Sequence, residues 1–188
     1  YRVDHVLTNK IALMGRFIND HIPTIEPFGL FGPQASLPGV GTTKTDSPGQ
    51  QWMGRVTFQL SEKIVNEVGY AYSYGAITSD PTGLLAKQNS PNITAAVNLP
   101  YESTLNRNPS LVFDDGDTQG GFGQYRDYNR NHNVFDNFNW TIGNHSTKWG
   151  IFYNHYQKVE NAAGNNTGAY EFDATNIPDA NPNSFEQD

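Results

Sequence analysis

The chain contains no cysteine, which excludes disulfide staples, thiolate catalysis and thiolate metal ligation. Charge is sparse: only 16% of residues are charged, and acids outnumber bases to leave a net charge of -7. That balance excludes a general electrostatic grip on nucleic acid. No apolar run approaches the ~18 residues of a membrane helix, so a helical membrane protein is excluded too. Catalytic signatures are missing as well. There is no Gly-x-Ser-x-Gly and no His-Glu-x-x-His, and Gly39-Val40-Gly41 lacks the spacing of a phosphate loop. The five histidines (His5, His21, His132, His145 and His155) are scattered without ligand spacing. Neither an enzyme nor a cofactor is expected. The chain opens at Tyr1-Arg2-Val3 with no methionine and no signal peptide, as expected of a mature product or of a piece of something longer.

What is present is alternation. Trp52, Gly54, Val56, Phe58 and Leu60 take one side of a run whose other side is Met53, Arg55, Thr57 and Gln59. After Ser61-Glu62-Lys63, Val68, Tyr70, Tyr72 and Tyr74 alternate with Glu67, Gly69, Ala71, Ser73 and Gly75. A period of two means β-strand, and each arm has the ~9–11 residues a tilted strand needs to cross a bilayer. Residues 2–11 echo residues 55–64, with Arg, Val, Leu, a hydroxyl, Lys and Ile recurring in register; the same hairpin turn is expected twice. A third pair places Phe138, Trp140 and Ile142 before Gly143-Asn144, and Thr147, Trp149, Ile151 and Tyr153 after it, a recognised hairpin signal.

Strands are expected at about 1–7, 11–22, 51–60, 64–77, 133–142, 146–158 and 168–174, the last beginning a further strand. Long connections are expected at 23–50, which holds five prolines, and at 78–132. Short turns and long loops therefore alternate, so an up-and-down sheet gathers all the short turns at one edge. Outer-membrane barrels have this asymmetry, with an apolar outer face and a polar lumen. Mean hydropathy is low at -0.62, which such a barrel allows because only every second residue meets lipid. The fold expected over residues 1–188 is all-β, an antiparallel up-and-down meander forming part of a large transmembrane β-barrel with long extracellular loops. Trp52, Tyr72 and Tyr74 stand near the long-loop ends of their strands and Trp140 and Trp149 beside a short turn, as two aromatic girdles require.

Leu7-Thr8-Asn9-Lys10-Ile11-Ala12-Leu13-Met14-Gly15-Arg16-Phe17 resembles a repeated barrel segment of TonB-dependent outer-membrane receptors. The branch it is most similar to is the Oar-like one, which carries a carboxypeptidase-regulatory-like domain. The likeness continues through Phe138-Asn139-Trp140-Thr141-Ile142-Gly143-Asn144-His145-Ser146-Thr147-Lys148-Trp149-Gly150, Gly168–Phe172 and Asn183-Ser184-Phe185, in the family's order. The resemblance implies a fragment of a bacterial outer-membrane transporter that binds a substrate and passes it across the outer membrane. Its implied partners are outer-membrane lipid, the missing barrel strands, a plug domain, a TonB-type inner-membrane energiser acting on that plug, and an extracellular ligand. No plug is recognisable in these residues.

On this reading Arg16, Arg55, Glu67, Asn137, Asn139 and Lys148 face the lumen. The loop aromatics and cation Phe122, Tyr125, Arg126 and Tyr128 are candidate ligand contacts, since exposed aromatics on loops grip sugars or peptides. Asp114, Asp115 and Asp117 form the one dense acidic cluster; they offer oxygen ligands to Ca²⁺ but lack an EF-hand's closing Glu, and a solvated acidic turn explains them better. Two other functions fit an all-β chain: a secreted carbohydrate-binding sandwich, in which the apolar face is core, and a glycoside hydrolase, for which no two carboxylates pair.

Overall fold

The computed structural model describes residues 1–97, 105–113, 117–161 and 167–172. In chain order the strands are β1 (Arg2–Thr8), β2 (Ile11–His21), β3 (Thr24–Glu26), β4 (Thr43–Asp46), β5 (Pro48–Ser61), β6 (Ile64–Pro81), β7 (Ser110–Phe113), β8 (Thr118–Gln119), β9 (Tyr125–Ile142), β10 (His145–Glu160) and β11 (Ala169–Phe172). One short helix, α1 (Pro91–Ala96), has Pro91 at its start, where the missing N–H costs nothing. The chain divides into two compact units. The first comprises Tyr1–Ile22, Ser47–Ala76 and Asp127–Val159; the second comprises Pro23–Asp46, Ile77–Arg126 and the residues from Glu160 on.

The first unit is a meander in the order β1-β2-β5-β6-β9-β10. The β1–β2, β2–β5 and β5–β6 pairs are antiparallel. So is β6–β9, because Asn66 bonds Asp136 while Tyr70, four positions on, bonds His132, four positions back. β5, β9 and β10 are 14, 18 and 16 residues long, ample for a tilted crossing. The echoed turns are one turn used twice. Each carries a register shift just before it, and in each a hydroxyl accepts the lysine N–H two residues on, Thr8 from Lys10 at 3.1 Å and Ser61 from Lys63 at 3.2 Å. At the third turn Gly143 has φ 58, the left-handed first position that a tight two-residue hairpin loop demands.

Hydropathy alternation marks the strands more narrowly than they run. β9 starts at Tyr125, not 133, because its first half (Asp127-Tyr128-Asn129-Arg130-Asn131-His132) is polar on both faces and gives no contrast to read. β5 starts at Pro48, β6 runs on to Pro81 and β10 to Glu160. The connection 23–50 contains β3 and β4, and 78–132 contains α1, β7 and β8.

The second unit holds β3 and β4 with the end of β6, paired antiparallel at Thr43↔Pro81 through Asp46↔Thr78. It also holds a small sheet, β11-β7-β8. Ala169–Phe172, expected to begin the next strand of the meander, instead runs parallel to β7. Four residues specify that a strand forms but not which partner it takes. Nearly all buried apolar residues lie here: Leu30, Ala35, Leu85, Ala86 and Tyr125, with Ala76 alone in the first unit.

Candidate functional site

Alternation gives the first unit two chemically distinct faces. One carries Phe17, Trp52, Val56, Val68, Tyr70, Trp140, Trp149, Ile151 and Tyr153. These are placed together by Phe17↔Trp52, Trp52↔Tyr72 and Val56↔Val68 pairing. Among the described residues no second layer covers this face. Trp149 is 66% exposed, Ile151 75% and Trp52 52%. An apolar surface spread over six strands exceeds what soluble monomers expose. A secreted sandwich would bury Trp52 and Tyr70 as core, so that alternative fails. Acyl chains are the solvent that suits this face.

The opposite face is a polar network. Arg55 and Glu67 form an ion pair at 3.1 Å, both about 30% exposed, 31% and 26%. Arg16 donates to Gln51 Oε1 at 2.6 Å. Asn137 lies against Gly150, leaving no room for a side chain there, while Asn139 and Lys148 stand on the same face further toward the turn. The six expected lumen residues therefore share one face. Hydropathy did not point to the asparagine ladder beside them. The Asn154 amide donates to Asn131 and, at 2.7 Å, to Asn133, and the Tyr156 hydroxyl donates to Asn129. Its signal was legible as asparagine at every second position from 129 to 133.

The loop candidates are less uniform. Tyr125 is buried, with its hydroxyl donating to Glu160 at 2.5 Å. Arg126 donates to Asp80 at 2.6 Å and to the Ser79 carbonyl at 3.0 Å. Phe122 packs against Tyr125 and against Phe31, which is 62% exposed and holds φ 64, a backbone conformation unusual for a bulky residue. Tyr128 lies in the first unit, apart from this cluster in the chain's division. Asp114 and Asp115 fall outside the described residues. Asp117 accepts from Ser36 and from Gln119, and these bonds hold its carboxyl below the usual range. Among the described residues no three His, Asp or Glu converge as a metal site.

Two further sites of the second unit carry no sequence signal. Glu26 accepts from Thr24, from Thr45 at 2.8 Å and from Thr43 at 3.1 Å, and Thr45 and the fully buried Ser79 lie 2.8 Å apart. Burial raises the Glu26 carboxyl, but these hydroxyls and a backbone hydrogen bond outweigh it and hold the carboxyl below its ordinary range. Arg107 is buried, with Nη2 donating to Thr167 and Nε without a partner. Burial pushes its guanidinium down to about 10, so it is charged at neutral pH.

No curated protein and no solved structure matches this sequence. A family model does, over residues 1–187. With long alternating strands, an uncovered apolar face and a polar network opposite it, the chain belongs to the outer membrane beta barrel domain family, and its place is the bacterial outer membrane.

Proposed function

We propose that this chain is a stretch of wall from a TonB-dependent receptor of the Oar-like kind, which binds a ligand outside the cell and passes it across the outer membrane without making or breaking a bond. The observation that carries this reading is the order of its motifs. The turn-and-strand Leu7–Phe17, the Gly143–Gly150 turn and strand, and Gly168–Phe172 follow one another as they do in that family. A charged, hydrogen-bonded inner face supports it. Arg55, Glu67, Arg16 and the asparagine ladder present donors and acceptors suited to a plug domain or a polar solute. Energy would arrive through that plug from a TonB-type inner-membrane protein. With Tyr125 and Arg126 engaged within the loop unit, the ligand would first meet the ring of Phe31 and its neighbour Phe122.

The test is site-specific cross-linking of the full-length protein, in cells, to the periplasmic domain of the TonB-type partner. A cross-link that depends on residues N-terminal to the barrel supports the reading. Its absence, together with no plug encoded beside the barrel, overturns it and leaves a barrel with another task.

A further inference from the structure

On the lipid-facing side of the first unit, Asn66 and Asp136 bond each other nearer the short turns, and a second polar cluster lies toward the long-connection end of β6, β9 and β10. There Arg130, His132 and His155 from β9 and β10 meet Tyr70, Tyr72 and Tyr74 from β6. Arg130 holds its guanidinium carbon 5.8 Å from the centre of the Tyr74 ring. The Tyr70 hydroxyl and His132 Nδ1 lie 2.8 Å apart, and the His132 ring is 4.9 Å from that of Tyr72 and 6.1 Å from that of His155. Among the described residues no carboxylate comes within ion-pair distance of Arg130. The nearest acid on this face of β9, Asp136, lies nearer the short turn and bonds Asn66.

Depth gives the cluster its meaning. A strand tilted by about 40° and rising about 3.3 Å per residue climbs the membrane by roughly 2.5 Å per residue. The ten positions from Trp140 to Arg130 therefore span about 25 Å, the height of a barrel's apolar band. Trp140 marks the girdle at the short turns, so Arg130 stands at the other one, where the long connections leave the sheet. His132 and His155 lie about 5 Å inside that boundary by the same count. Long connections face the cell exterior in such barrels, which puts the cluster in the outer leaflet. Ionisable side chains turned toward lipid are costly and call for a partner. The Tyr70 hydroxyl occupies His132 Nδ1, so Nε2 is the ring nitrogen left for a ligand.

We propose that Arg130, His132 and His155, backed by the three tyrosines, bind the phosphate of an outer-leaflet lipid headgroup. The cluster supplies positive charge and N–H donors at headgroup depth and no competing acid. The apolar face below it receives the acyl chains of the same molecule. The inference rests on the membrane orientation of this face and not on the transport reading, so it stands even where that reading fails.

The experiment uses the full-length protein in phosphatidylcholine nanodiscs doped with lipid A or with the same lipid after removal of its phosphates. Co-purifying lipid is counted by native mass spectrometry after transfer to detergent. The wild-type protein should retain the phosphorylated form about tenfold better, the range of one charge-assisted contact. The variant R130Q/H132Q/H155Q should lose that preference while still giving the heat-shifted band of a folded barrel. Should the triple variant fold poorly, R130Q alone, which disturbs only a contact with Tyr74, should lower the preference severalfold. Equal retention of the two lipids, or an R130Q that keeps the full preference, overturns the proposal. Release of the lipid by millimolar inorganic phosphate overturns it too, because the site would then recognise a free anion.

Discussion

Phe135 of β9 lays its ring over Gly69 of β6, where a Cβ would run into the ring. Both belong to the polar face, so this aromatic covers a glycine where polar groups are the rule. Glycine weakens a strand, and a cross-strand ring laid over it restores both packing and register. The substitution Gly69→Ala should therefore destabilise the barrel by about 1–3 kcal/mol through overpacking. Phe135→Leu in the same background should recover much of that loss, a coupling that two independent sites do not show. Urea unfolding of the refolded full-length barrel measures both, and additive effects would mean that the ring does not rest on Gly69.

The two faces predict opposite tolerance to charge one residue apart. Val56 pairs with Val68 on the uncovered apolar side, and Thr57 pairs with Glu67 on the polar side. The substitution Val56→Arg should cost about 2–4 kcal/mol at the bilayer midplane. Thr57→Arg, beside Glu67, should cost less than about 1 kcal/mol. Folding yield into lipid vesicles and denaturant midpoints read the difference. Equal cost at the two positions would mean that the face of Val56 does not meet hydrocarbon.

The hairpins and their facing were legible because apolar and polar residues alternate strongly there, and a one-residue slip would exchange the two faces. The repeated turn was legible for a related reason, since Thr8 and Ser61 each supply the hydroxyl that closes it. The first half of β9 was not, because asparagine, arginine and histidine fill both of its faces and contrast disappears. Nor was the second unit. Glu26 meets Thr43 and Thr45 through chain separations of 17 and 19 residues, and no local period records such meetings. Of the loop candidates, Tyr125, Arg126 and Tyr128 stand on β9, and the sequence carried nothing to say that Tyr125 would be buried or Arg126 held by Asp80.

Glu26 makes the second unit sensitive to acid. Its carboxyl lies below the ordinary range in the folded chain, so its hydrogen bonds stabilise the fold fully above the unfolded glutamate value. That contribution is lost as pH falls through the lower, folded value. Protection of the Thr43 to Asp46 amides from exchange, taken relative to the free peptide at each pH, should fall in this acid window and stay level from there to neutrality. In Glu26→Gln, which accepts hydrogen bonds but does not titrate, the acid step should vanish. An unchanged step in the variant would assign it to another group.

Arg107 predicts the opposite of what a buried ion usually suggests. Its guanidinium is covered, donates to Thr167, leaves Nε unbonded and meets no carboxylate among the described residues. Its side chain packs near Gly121, so its stem matters to packing while its charge is a burden. Because burial lowers the folded value to about 10, the unfolded chain binds the proton more tightly above that pH, and the buried cation costs stability at neutrality. Arg107→Met keeps the stem and removes the charge. It should leave the second unit as stable as before or firmer by about 1–3 kcal/mol, as when buried ions give way to apolar residues of similar volume. Arg107→Ala, which removes the stem as well, should loosen it by about 2 kcal/mol through the cavity left behind. Amide exchange at Ser110 to Phe113 separates the two. Equal loosening by methionine and alanine would mean that the charge itself holds the loop unit together, through an anion it binds.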